Sequence, residues 1–175
     1  MGPSRRSNLA RGAILGIALM LGSAPRAFAQ QTVDLSVLEH DGSFSYRLKR
    51  GNQSNPASRT VKDVHATGCT LTWVIESASS GNRTESTATL QAIDPTSLSV
   101  VDLDSAAPPN RVTHDPHFWQ VELRTRDGSS PVVVRNPPDD MTRSLPTMVF
   151  MSGSQAGAQR MGAVVTALVN RCQHS

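Results

Sequence analysis

The sequence is short of most features that announce a chemistry. Its longest apolar run, residues 13–21 (AILGIALML), covers nine residues, against the roughly 20 that a membrane-spanning helix needs. No G-x-S-x-G elbow sits between a strand pattern and a helix pattern, so nothing marks an activated serine. There is no phosphate-binding glycine loop. Strand and helix patterns do not alternate and no segment repeats at a fixed period, which sets aside a parallel α/β sheet and a solenoid. Cysteine is almost absent: Cys69 and Cys172 are the only two.

Positive charge is also scarce once the first residues are set apart. The whole chain carries 17 Lys+Arg against 14 Asp+Glu, a net of +3. Residues 1–29, however, read as an export signal peptide. Arg5, Arg6 and Arg11 form a basic n-region, residues 13–21 an apolar h-region, and Ala27-Phe28-Ala29 an A-x-A cleavage site that leaves Gln30 first. No cysteine follows that site, which argues against a lipid anchor. The Arg5-Arg6 pair in SRRSNL partly resembles the twin-arginine motif, with Asn8 where that motif takes a large apolar residue. The expectation is a bacterial protein exported to the periplasm or beyond, by the twin-arginine or the ordinary route. Four of the 17 basic residues (Arg5, Arg6, Arg11, Arg26) lie in the leader and no acid does. Thirteen bases and 14 acids remain, a net of −1. That balance gives no field to attract nucleic acid or an anionic membrane, and no membrane span remains in the mature chain.

What is present is a β pattern with one helix behind it. Residues 30–175 suit a single domain with one core. Phe44, Tyr46 and Leu48 alternate with Ser45, Arg47 and Lys49, the period of a half-buried strand. The segment before them (TVDLSVLEH) fits a short helix or an extended arm. GNQSNPAS (51–58) has loop composition, and residues 59–66 fit a short edge strand. CTLTWVIES (69–77) is the clearest strand, with Cys69, Leu71, Trp73 and Ile75 on one face. Weaker strands follow at 84–93 and 98–103. Residues 104–117 and 136–146 fit polar loops. Trp119, Val121 and Leu123 mark another strand, and Asp127-Gly128 signals a hairpin leading into PVVVR. Residues 147–151 (TMVFM) make the last strand.

The helix spans 153–172. Ala158, Met161, Val165, Leu168 and Cys172 recur at steps of three and four, so they share one helical face. Ser152 and Gln155 fit a capping box at its start. The face should cover the sheet at the 69–77 strand. Cys69 and Cys172 both point inward, and in an oxidising compartment such a pair forms a disulfide.

The fold class expected is therefore mainly β (α+β), with about seven antiparallel strands in a bent sheet or barrel closed by one C-terminal helix. That order resembles the PH-like β-barrel superfold over nearly all of residues 30–175. The resemblance implies a binding module. Arg47, Lys49, Arg50, Arg59 and Lys62 faintly echo the basic first hairpin of PH domains. The ending R-x-G-A-x-x-x-A-L-x-x-x-C (160–172) looks like the close of many exported bacterial proteins, a likeness that carries no activity with it.

Few residues offer chemistry. His114-Asp115-Pro116-His117 packs two imidazoles and a carboxylate into four positions, donors that suit zinc. Further ligands would have to come from His40, His65, Asp139 or Asp140. Asp139 and Asp140 are neighbours in an extended loop and point apart, a poor acid/base pair. Trp73 and Trp119 could line a barrel cavity for a small apolar ligand. Phe118 and Val74 could add to an exposed patch. The leading expectation is a secreted, non-enzymatic binding module without a cofactor, for a protein or a small apolar ligand. A metal-dependent hydrolase using the HDPH segment, or a subunit of an envelope assembly, are the alternatives.

Overall fold

The computed structural model describes residues 32–105, 112–137 and 140–174. The expected signal segment 1–29, with its twin-arginine pair, and Asp139 lie outside the described residues. Asp34 Oδ1 accepts both the backbone N–H and the hydroxyl of Ser36, which turns the chain into a short helix α1 (Ser36–Gly42) rather than an extended arm. Strands β1 (Phe44–Arg50), β2 (Gln53–Thr67), β3 (Thr70–Ser77) and β4 (Arg83–Thr89) follow as an antiparallel meander. Two 3-10 turns, Leu90–Ala92 and Pro95–Ser97, lead to β5 (Ser99–Asp102). Then come β6 (Thr113–Asp115), β7 (Trp119–Arg124), β8 (Val132–Asn136), β9 (Met141–Leu145), β10 (Thr147–Ser152) and helix α2 (Gln155–Gln173).

The strands form two antiparallel sheets. One has seven strands in the order β6-β1-β2-β3-β4-β8-β9, and the other has three in the order β10-β7-β5. Among the described residues the outer strands β6 and β9 do not pair, so the large sheet is open rather than a closed barrel. Alternation decides which side chains face the core. On the large sheet Val61, Leu71, Trp73, Ala88 and Val132 are buried; on the small one Val121, Leu123, Met148 and Phe150 are. Trp73 of β3 meets Phe150 of β10 with ring centroids 4.9 Å apart, so the core lies where the two sheets and the helices converge.

Helix α2 buries the stripe that its spacing predicts, Ala158, Met161, Val165, Leu168 and Cys172. Packing of that stripe, more than intrinsic propensity, holds a helix carrying two internal glycines. It starts two residues later than expected. Ser154, in extended conformation, is the cap, and its Oγ accepts the Gly157 N–H at 3.1 Å. Ser152 Oγ instead accepts the N–H of Ser154. The helix lies nearest to α1, β7, β10, the 3-10 turn Leu90–Ala92 and β5; it shares one core with Leu71 and Trp73 of β3 and is tied to the residue before that strand by the Cys69–Cys172 disulfide. Closing that 103-residue separation is worth about 4.7 kcal/mol in the chain-entropy model.

Four other expectations are corrected. Residues 53–58 are strand, not loop, because β2 continues through Pro56 as far as the β1 turn. There only β1 pairs with it, and a strand bonded on one side tolerates a residue without an N–H. Residues 59–66 are central, between β1 and β3. They carry a bulge at Lys62/His65, where Glu39 of α1 accepts the N–H of Val64 at 3.0 Å. The supposed loops hold edge strands β6 and β9, whose polar, exposed residues gave no apolar alternation. Finally, Asp127-Gly128 makes a turn but no hairpin. β7 pairs with β5 and β10, and β8 with β4 and β9, so the chain crosses between sheets there.

Candidate functional site

The inward face of β1 carries Phe44, Tyr46 and Leu48, all half-buried. Antiparallel register puts a defined neighbour beside each. Arg59 of β2 stands opposite Phe44, and Ala57 opposite Tyr46. On the other side His114 of β6 stands opposite Leu48. Phe118, just before β7, fills the gap between these rings. It meets Phe44 edge-on at 5.1 Å and Tyr46 edge-on at 4.6 Å. It stacks flat on the His114 ring at 3.7 Å and 17°. Three of the seven Phe, Trp and Tyr residues of the chain thus gather at one end of the open sheet.

Two carboxylates fix this end. Asp104 is the buried one. Its Oδ1 accepts the backbone N–H of His114 at 3.1 Å and faces His114 Nδ1 at 2.9 Å. Its Oδ2 accepts the Phe118 N–H at 2.7 Å. Asp102 Oδ1 accepts the N–H groups of Asp104 and Ser105, while Oδ2 meets His117 Nδ1 at 3.0 Å. The hydrogen bond from His117 holds the Asp102 carboxyl below its ordinary range. In return the hydrogen bond and charge of Asp102 raise the His117 imidazole above its ordinary value.

The HDPH residues therefore separate. His114 and Asp115 are successive residues of a strand, so they project from opposite faces of the sheet. His114 goes to Asp104, Asp115 to Lys49 Nζ at 2.6 Å, and His117 to Asp102. Lys49 also holds the Asp115 carboxyl below its usual range. Among the described residues no three His, Cys, Asp or Glu side chains come together as a metal-holding group. Asp140 pairs with Arg135 at 3.3 Å. Trp73 is core, and Trp119 is partly buried at the core margin. Phe118 and Val74 are buried, contrary to the exposed patch expected of them. Among the described residues the exposed large apolar side chains are instead Leu98, Val101, Val112, Val133, Met141 and Leu145.

From the sequence Arg59 is only one of five bases that echo the first hairpin of PH domains. Its Nε is shielded from solvent and has no hydrogen-bond partner among the described residues. Burial lowers its guanidinium to about 10, while nearby Tyr46 acts in the other direction. A signal was available in the phase of β2. Arg59 alternates with Ala57 and Val61, the inward set, whereas Arg47 and Lys49 fall on the outward phase of β1. The end of the sheet thus offers half-exposed ring faces and a guanidinium side by side. Such a surface can hold a ligand by stacking and by charge-assisted hydrogen bonding. Compared with known proteins, the chain matches no family model, no curated protein and no solved structure.

Proposed function

We propose that the protein is an exported, non-catalytic binding module, and that its ligand lies on the Phe44–Tyr46–His114 face of the open sheet. The observation that carries this reading is the cluster of half-buried rings on β1 and β6 around Phe118, with His114 and the Phe118 backbone held by Asp104. Rings held rigidly at a surface lose little conformational freedom on binding, which favours recognition. The Cys69–Cys172 disulfide is compatible with export, since such bonds persist in oxidising compartments. No helix among the described residues is long and apolar enough to cross a membrane.

The test is an NMR titration of protein purified from an oxidising compartment with a neutral aromatic probe, benzyl alcohol. Shift changes centred on Phe44, Tyr46 and His114 are expected in the millimolar range. Changes scattered over the surface, or none, would remove the reading.

A second reading, a subunit of an envelope assembly, has its own observation. All five residues of the outer strand β9 are exposed, and an uncovered edge is a template for a strand of another chain. Sedimentation of envelope extracts tests it. A large species that collapses to one chain when proline replaces Arg143 supports the reading. The same single-chain mass with and without that substitution contradicts it.

A further inference from the structure

We propose that Arg59 is an oxyanion-binding residue. It takes the carboxylate or phosphate group of a ligand whose ring-bearing part lies on Phe44, Tyr46 and His114. The inference rests on the binding-module reading and adds to it the charge of the ligand.

The argument starts from the chemistry of the side chain. A guanidinium stays charged and carries five donors in a planar fork. Buried charges in folded proteins are paired, because an unpaired one is costly. Even exposed arginines of this chain find carboxylates: Arg83 reaches Glu76 and Glu85, Arg124 reaches Glu122, and Arg160 grips Asp41 through two nitrogens at 2.8 and 2.9 Å. Arg59 departs from the rule. Its cross-strand neighbours are Phe44 on β1 and Ser77 on β3, and its neighbours along the inward face of β2 are Ala57 and Val61. None of these is a carboxylate. Its shielded Nε finds no acceptor among the described residues.

The location makes that isolation informative. Arg59 sits directly across from the first ring of the aromatic cluster, at the end of the sheet where the rings are half-exposed. A cation without a counter-charge among the described residues, in a partly desolvated place, is costly unless a ligand supplies the anion. Carboxylates and phosphates match the guanidinium fork with two parallel hydrogen bonds. The adjoining rings add the apolar contact that a free inorganic anion would lack.

The experiment is a set of NMR titrations of protein purified from an oxidising compartment. The probes are benzoate, phenyl phosphate, inorganic phosphate and benzyl alcohol. Benzoate or phenyl phosphate is expected to bind at least tenfold more tightly than benzyl alcohol and to move the Arg59 Nε–H resonance. Which of the two binds better identifies the oxyanion. Inorganic phosphate is expected to bind more weakly than either. In Arg59→Met the two anionic aromatics should fall to the level of benzyl alcohol, whose own weak binding persists. Arg59→Lys, which keeps the charge without the fork, should lie between. It also serves as the deciding variant if Arg59→Met does not fold. Equal affinity for benzoate, phenyl phosphate and benzyl alcohol would overturn the Arg59 inference and leave the binding module standing. Failure of every probe to reach the aromatic face would overturn both.

Discussion

Asp104 and His114 meet at 2.9 Å, and the carboxylate is the hidden member, with 2% of its side chain exposed against 21% for the imidazole. The same carboxylate takes the backbone N–H groups of His114 and Phe118. One side chain thus fixes both ends of the 114–118 segment and sets the His114 ring flat on Phe118. Removing it strands buried donors. Asp104→Ala is expected to cost about 3 kcal/mol, the scale for leaving buried donors without a charged acceptor. Urea unfolding should show this as a lower midpoint with an unchanged slope. A midpoint equal to wild type would mean that Asp104 does not organise this end of the sheet.

The neighbouring His117–Asp102 pair makes stability depend on pH in a definite direction. The His117 pKa is raised in the fold, so its contribution is complete below the ordinary value of 6.5 and is lost as pH rises through the raised one. The Asp102 pKa is lowered, so its contribution is complete above the ordinary 3.8 and is lost as pH falls through the lowered one. Both are present between pH 3.8 and 6.5. The stability gap between wild type and His117→Gln should be widest in that window and close on the alkaline side. It should also narrow with added salt, since His117 is exposed. Melting curves across pH measure it, and a gap that stays constant from acid to alkaline pH contradicts the pairing.

Gly42 is where α1 approaches the sheet too closely for any side chain. A Cβ there would lie 2.7 Å from Val61 Cγ2 and 3.3 Å from Met161 Cε. Gly42→Ala should therefore force α1 away from β2 and α2, at a cost of about 1–3 kcal/mol, the scale for overpacking a core. Thermal unfolding is the check. A variant as stable as wild type would mean that α1 can move without loss.

Much of this architecture was legible because burial leaves a period. Leu71 and Trp73, Val121 and Leu123, and the Ala158–Met161–Val165 stripe each repeat at the spacing of their element. Burial on one face imposes that repeat. Cys69 and Cys172 could be paired because both fell in phase with those inward faces. Strands without a buried face were not legible. All five residues of β9 are exposed, and the first residues of β2 are exposed and include Pro56. Hydrogen bonding to a neighbour makes these segments strands, and composition does not record which neighbour is present. The same limit explains Asp127-Gly128. Its turn chemistry was read correctly, but whether a turn joins partners or crosses between sheets depends on tertiary pairing. At the candidate site, His114 and Asp115 looked like partners because they are adjacent, and strand geometry sends them apart. Arg59 was visible as a base on the inward phase of β2. That no carboxylate among the described residues pairs with it is a property of its spatial neighbours, which no local pattern states.

The most direct measurement of the central claim is the melting temperature of wild type and Arg59→Met, each with and without benzoate. Without benzoate the account predicts that Arg59→Met is the more stable protein, by about 1–3 kcal/mol, because it removes a shielded donor with no partner among the described residues. With benzoate, wild type should gain stability as binding to the folded state increases, and Arg59→Met should not. An Arg59→Met protein that is less stable than wild type and gains equally from benzoate would contradict the account. Arg59 would then be a structural residue, and the aromatic face would have no oxyanion partner.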